Sequence, residues 1–172
     1  TQWYVQNDPA HLFTIDNGAV KLPLSDKKEL LTNCIYGVDI DIHAVEVSKF
    51  SLLLKLIEDE TEPSVKDNQP ILPELDENIK CGNSLVSRDD VEGMDISSDD
   101  LIRTAPFDWE SINGGELFDV VIGNPPYVKT EDIKKLHTAA ETAVYKKYES
   151  SYKQYDKYYL FLEKAMGLIK EN

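Results

Sequence analysis

The run Phe118-Asp119-Val120-Val121-Ile122-Gly123 leads through Asn124 into two consecutive prolines, and no other stretch limits the fold so sharply. A short apolar run of this kind fits a strand buried in a parallel sheet. Proline has no N–H to give, and it restricts the residue before it, so ladder bonding has to stop here. A parallel sheet in turn needs long crossover connections, and these are usually helices.

The remaining pattern supplies them. Asp26-Lys27-Lys28-Glu29 reads as a helix start, with Asp26 as cap and Glu29 three residues on, and the helix runs to about Asn33. Cys34 to Asp39 reads as a short strand. From Ile42 to about Asp59 the apolar spacing is helical, with Val47, Phe50, Leu54 and Ile57 on one face and Val45, Leu52, Leu53 and Leu56 widening it. A helix so apolar is expected to pack on a sheet along most of its length. Thr61 to Asp76 carries three prolines among charges and reads as an exposed connection. Asn78 to Gly82 is a weak strand, Arg88 to Asp100 an acidic loop, and Thr130 to about Ser150 a polar helix. A last helix spans about Tyr158 to Lys170, with Leu160, Phe161, Ala165, Leu168 and Ile169 inward. Strands alternating with helices predict an α/β fold: a parallel sheet with flanking helices.

Composition bounds the function. With 41% hydrophobic and 29% charged residues, the chain reads as a soluble globular domain of 172 residues. No apolar run approaches the roughly 20 residues of a membrane span. The polar start, without methionine, is unlike a signal peptide and fits a domain cut from a longer protein. Cys34 and Cys81 form no CxxC pair and are expected as buried reduced thiols, which points to the cytoplasm. His11, His43 and His137 have no metal-ligand spacing, and no metal is expected. The net charge of −14 has the wrong sign for a free-standing DNA-binding domain. On its own the chain is expected to bind DNA weakly. Any DNA function must take its basic contacts from a longer parent.

Three motifs carry chemistry. Gly37-Val38-Asp39-Ile40-Asp41 puts an acid at the carboxyl end of a strand, where α/β folds bind ligands. Asp39 could take both hydroxyls of a ribose and Ile40 could lie against an adenine ring; Asp41 is the better candidate for capping the next helix. Cys81-Gly82-Asn83-Ser84-Leu85 also follows a strand. Asn83 could bond an adenine amino group and the Ser84 N–H a ring nitrogen, although alone the motif is no better than a turn. The most specific is Asn124-Pro125-Pro126-Tyr127. The prolines can hold the Asn124 amide oxygen and a main-chain carbonyl at fixed separation, which suits the two donors of a planar NH2 group. Accepting both hydrogens favours a pyramidal nitrogen with its lone pair aimed at an electrophile. Tyr127 offers a flat face on which an extruded base can stack. The plainer alternative is a proline-stiffened turn with a packed tyrosine.

The tetrapeptide after Phe-Asp-Val-Val-Ile-Gly resembles the signature of the adenine-specific (amino-group) DNA methyltransferase family. Phe107-Asp108-Trp109-Glu110, Gly114 to Asp119, Ile35 to Asp41 with Ala44 to Val47, and Asp156 to Phe161 are similar to one branch of it. That branch comprises the large single-chain type II restriction-methylation enzymes and related phage-defence methylases. The resemblance covers roughly Lys27 to Lys170. It implies a partial Rossmann-like fold dependent on S-adenosylmethionine, with the first and last strands lying outside these residues and 1–25 an unassigned lead-in. It also implies methyl transfer to the amino group of a flipped adenine in double-stranded DNA, by the full-length parent rather than by this part alone. Carried over by position, Asp39 takes the cofactor ribose and Asn83 the cofactor adenine. Asn124 and the Pro125 carbonyl receive the target amino group, and Tyr127 stacks on the target base. Two departures stand out: Asn83, where many relatives carry aspartate, and the lack of a glycine-rich loop before Gly37. Methylation of a glutamine side-chain amide uses the same tetrapeptide chemistry and is the alternative enzyme; a non-catalytic methyltransferase-like binding module is the alternative from another class.

Overall fold

The computed structural model describes residues 2–14, 20–58 and 60–171; Asp59, the expected end of the long helix, and part of the lead-in lie outside them. In chain order the elements are α1 (Gln2–Asn7), β1 (Phe13–Thr14), β2 (Val20–Lys21), α2 (Leu24–Cys34), β3 (Gly37–Asp39), α3 (Ile42–Ile57), α4 (Glu62–Asp67) and β4 (Ile79–Cys81). They continue with α5 (Arg88–Val91), α6 (Ser98–Thr104), α7 (Thr130–Leu136), α8 (Ala139–Tyr145) and α9 (Lys157–Leu168). The chain forms two compact units, Thr1–Gly37 with Glu46–Ile79, and Val38–Val45 with Lys80–Asn172.

In the first unit β1 and β2 make a small antiparallel pair. Leu24, Leu31, Leu56, Leu75 and Ile79 are its buried apolar residues. Helix α2 begins two residues before the expected Asp26, behind Pro23, and no side chain caps it. Its other end is closed from a distance: the buried Asn78 amide donates to the carbonyls of Thr32 and Ile35 at 2.7 and 3.0 Å. These are carbonyls that a helix end leaves without intrahelical partners. The buried carboxylate of Glu60 accepts from Lys21, Lys27 and Ser64, tying β2, α2 and α4 together. Those bonds hold its pKa below the ordinary value although burial pushes it up. The expected connection from Thr61 thus contains a short helix.

Strands β3 and β4 form a parallel pair, because their partners advance together: Gly37 N–H bonds Asn78 O, and Gly82 N–H bonds Asp39 O. Helix α3 follows as expected, but its faces are reversed. Val47, Phe50 and Leu54 are exposed, while Val45 and Leu56 are buried. The side expected to cover a sheet meets none among the described residues.

The second unit packs Leu85, Val86, Val91, Ile133, Ala140, Val144, Tyr145 and Leu160 into one core. The acidic stretch expected as loop holds two helices, each started by a serine. Ser87 and Asp90 make a reciprocal capping box for α5, and Ser97 caps α6. The expected long helix from Thr130 is two, because Thr138 and Glu141 restart it as α8 with a second capping box. Cys34 and Cys81 are free but exposed, not buried.

The largest correction concerns residues 118–123. They form no strand; only Phe118 pairs, in a single parallel bridge to Ile169, and Val120 and Ile122 are 72% and 90% exposed. An apolar run becomes a ladder strand only when a neighbouring strand supplies partners for its N–H and C=O groups, and none of the described residues does so. Among the described residues the fold is therefore mixed α/β with a small parallel sheet, and they form no complete doubly wound sheet.

Candidate functional site

The carboxyl ends of β3 and β4 bring together two of the predicted motifs. Gly82 N–H donates to Asp39 O at 2.9 Å, and Cys81 Sγ lies 3.5 Å from Ile40 O. Asp39 is exposed, with one carboxylate oxygen taking the Asp41 N–H at 2.8 Å; Ile40 is half exposed. Asp41 caps α3 as expected, accepting the His43 N–H at 2.8 Å. An exposed carboxylate beside an exposed apolar side chain, at the ends of adjacent parallel strands, fits the ribose and adenine of a nucleoside.

The Asn83 side chain does not fit that role. It is 4% exposed, its amide donates to Glu141 Oε1 at 3.2 Å, and its oxygen accepts the Leu85 N–H at 3.1 Å. Ser84 is half-buried, its carbonyl taking the Trp109 indole N–H at 3.1 Å. Phe107 closes the other side of this strand end, where Gly82 has no room for a side chain: a Cβ there would lie 2.7 Å from Phe107 Cβ. The segment Phe107 to Trp109 thus acts as a wall for the β4 end.

Asn124, Pro126 and Tyr127 are exposed on a strap whose two ends are fastened to α9. At one end Phe118 N–H bonds Leu168 O, and Lys170 N–H bonds Phe118 O. At the other, Asp156 accepts the Val128 N–H, and Lys157 N–H bonds Val128 O. Tyr127, 80% exposed, has its ring 5.8 Å from that of Tyr158, which lies 4.2 Å from the Tyr159 ring. The Tyr158 ring therefore lies beside the tetrapeptide's own tyrosine, with the Tyr159 ring against Tyr158. No hydrogen bond or ring contact among the described residues joins it directly to Asp39 or Asn83.

The link between the two regions is indirect and buried. Glu141 Oε1 accepts from Asn83, from Tyr145 at 3.0 Å and from His137 Nδ1 at 3.0 Å, while Oε2 takes the Thr138 N–H. His137 Nε2 faces Lys157 Nζ at 3.4 Å. Burial pushes the Glu141 carboxyl up, but the bonds from His137, Thr138 and Tyr145 outweigh it and hold the pKa at about 2. Burial lowers the Lys157 pKa, opposed by Glu141. Sequence reading gave Glu141 and His137 no role, although Thr138-x-x-Glu141 is a legible capping box. A charged cleft of about 350 Å3, lined by Asp90, Glu110, Lys147, Tyr148 and Glu163 among others, shares none of the predicted site residues. Among the described residues no cluster suits a metal ion, and no helix is long and apolar enough to cross a membrane.

Comparison with known proteins gives a consistent picture. The family model of the Eco57I restriction-modification methylase matches residues 33–172. The chain is 43% identical over 170 residues to the type II restriction enzyme and methyltransferase RM.Eco57I of Escherichia coli, covering 98% of this chain and 16% of that protein. It is 44% identical over 61 residues to the putative type II restriction enzyme and methyltransferase RM.MjaORFECS2P of Methanocaldococcus jannaschii, covering 36% of this chain and 5% of that one. The chain thus spans a small part of the relatives it matches. No solved structure matches it.

Proposed function

The chain belongs to the Eco57I restriction-modification methylase family, and on that premise we propose that it carries the target-amino site and the nucleoside edge of a DNA adenine methyltransferase. The observation that carries this reading is the exposed tetrapeptide Asn124 to Tyr127, with the Tyr158 ring beside its tyrosine and the next residue, Val128, pinned by Asp156.

When bound, S-adenosylmethionine supplies an electrophilic methyl group on a sulfonium sulfur. Asp39 would hold its ribose hydroxyls and Ile40 would lie against its adenine. The main chain at Asn83 and Ser84 would line the same edge. Asn124 Oδ1 and the Pro125 carbonyl would each accept one N–H of the target amino group. Holding both hydrogens releases the nitrogen lone pair from the ring, so positioning replaces a strong base. Tyr127 would stack on the flipped adenine, with Tyr158 extending the aromatic face.

The net charge of −14 leaves phosphate binding to other parts of the full-length protein, the setting in which the relatives carry this segment. The reading also places the protein in a cytoplasmic restriction-modification system, acting on double-stranded DNA. Asn124→Ala in the full-length protein tests it. Methyl transfer to an adenine-containing duplex should fall at least a thousandfold, about 4 kcal/mol of transition-state stabilisation, with cofactor affinity unchanged. Equal loss of both would remove the target-amino role.

A further inference from the structure

We infer that Asn83 is a positioning residue: held inward by Glu141, its side chain fixes the main chain of Gly82 to Ser84 at the cofactor edge and makes no cofactor contact itself. The inference rests on the proposal that the β3–β4 edge is the cofactor site.

Each polar atom of Asn83 is committed. The main-chain N–H bonds Ala105 O at 2.6 Å, the amide donates to Glu141, and the amide oxygen takes the Leu85 N–H. Turning the side chain toward a ligand would strip the Leu85 N–H of its acceptor and remove a donor from a buried carboxylate. Glu141 cannot follow, because Thr138, His137 and Tyr145 hold it. On the opposite side Phe107 abuts Gly82, so the strand end is gripped from both faces. What the edge leaves exposed is the Asp39 carboxylate and the Ile40 side chain, beside the half-buried Ser84.

Asparagine suits this arrangement and aspartate does not. The amide gives Glu141 an N–H, whereas a carboxylate in its place would set two negative charges within hydrogen-bond distance. An adenine-amino ligand has the opposite preference, since a carboxylate is the better acceptor for an NH2 group. The two roles therefore predict opposite effects for one substitution.

The experiment compares Asn83→Asp, Glu141→Gln and the double variant in the full-length protein, reading KM for S-adenosylmethionine and for duplex DNA separately. A positioning role predicts that Asn83→Asp raises the cofactor KM by about tenfold or more and leaves the DNA KM unchanged. Adding Glu141→Gln should restore it to within about threefold, because a neutral side chain at 141 removes the charge repulsion that the new aspartate meets. A cofactor KM that is unchanged or lower in Asn83→Asp overturns the inference, as does a loss that Glu141→Gln fails to rescue. Should Asn83→Asp not fold, Glu141→Ala alone decides: it takes away the acceptor that holds the Asn83 amide and must raise the cofactor KM without touching the DNA KM. Wild-type protein that binds no S-adenosylmethionine in calorimetry would sink the cofactor-site proposal itself, a failure distinct from these.

Discussion

Asp156 joins the tetrapeptide strap to the start of α9 through one oxygen: Oδ1 accepts the Val128 N–H at 3.0 Å and the Tyr158 N–H at 3.2 Å. The residue after Tyr127 and the first turn of the helix that carries Tyr158 thus share an acceptor. Removing it should loosen both. Asp156→Ala should destabilise by about 1–2 kcal/mol, the usual cost of a lost helix cap, and lower kcat with the cofactor KM unchanged. Asp156→Asn keeps an acceptor oxygen and should cost less than half of that in thermal unfolding. Equal effects of the two would show that the shared oxygen is not what matters.

Tyr127 projects into solvent with Tyr158 beside it, an arrangement that wastes apolar area unless something flat covers it. Stacking on a base contributes about 1–3 kcal/mol. Tyr127→Ala should therefore reduce the fluorescence rise of a duplex with 2-aminopurine at the target position, and Tyr127→Phe should preserve it. An unchanged rise in the alanine variant would take Tyr127 out of the base pocket.

What could be read in the sequence was local. Helix α3, the β4 strand, the Asp41 cap and α9 lie where spacing and capping residues put them, because their signals sit within a few neighbouring residues. The inward turn of Asn83 was not legible, since its partner Glu141 is 58 residues away. Nor was the exposure of Val120 and Ile122: apolar character states a preference for burial, while the partner that would bury them is a property of the sheet. The tetrapeptide itself was legible, but its tie to Asp156 requires the strap and α9 to meet.

Two glycines give opposite expectations. A Cβ at Gly82 would lie 2.7 Å from Phe107 Cβ, so Gly82→Ala must shift the strand end or the phenylalanine. Overpacking of this kind costs about 1–3 kcal/mol, and the cofactor KM should rise with it. At Gly167, inside α9, a Cβ would meet nothing within 4 Å. Gly167→Ala should stabilise by about 0.5–1 kcal/mol through helix propensity alone. Thermal melts of the two variants should move in opposite directions; a stable Gly82→Ala protein would show that the wall at Phe107 yields.

Glu141 makes stability depend on acid in a defined direction. Its folded-state pKa of about 2 lies below the ordinary carboxylate value of 4.5. The unfolded state therefore takes up the proton first as pH falls. The stabilisation is complete above about pH 4.5 and drains away as pH drops toward 2. Lys157 acts at the other end of the scale: burial disfavours its charged form, so its penalty eases only as alkaline pH removes the proton. It leaves the acid limb untouched. Asp90, Glu60 and Glu163, also lowered, contribute to that limb in both proteins, so the useful quantity is the difference between wild type and Glu141→Gln. The gap in melting temperature should close progressively as pH falls below about 4.5 toward 2. A gap that persists unchanged down to pH of about 3 would mean that Glu141 is not held as a carboxylate, and that the bonds from His137, Thr138 and Tyr145 do not set its charge.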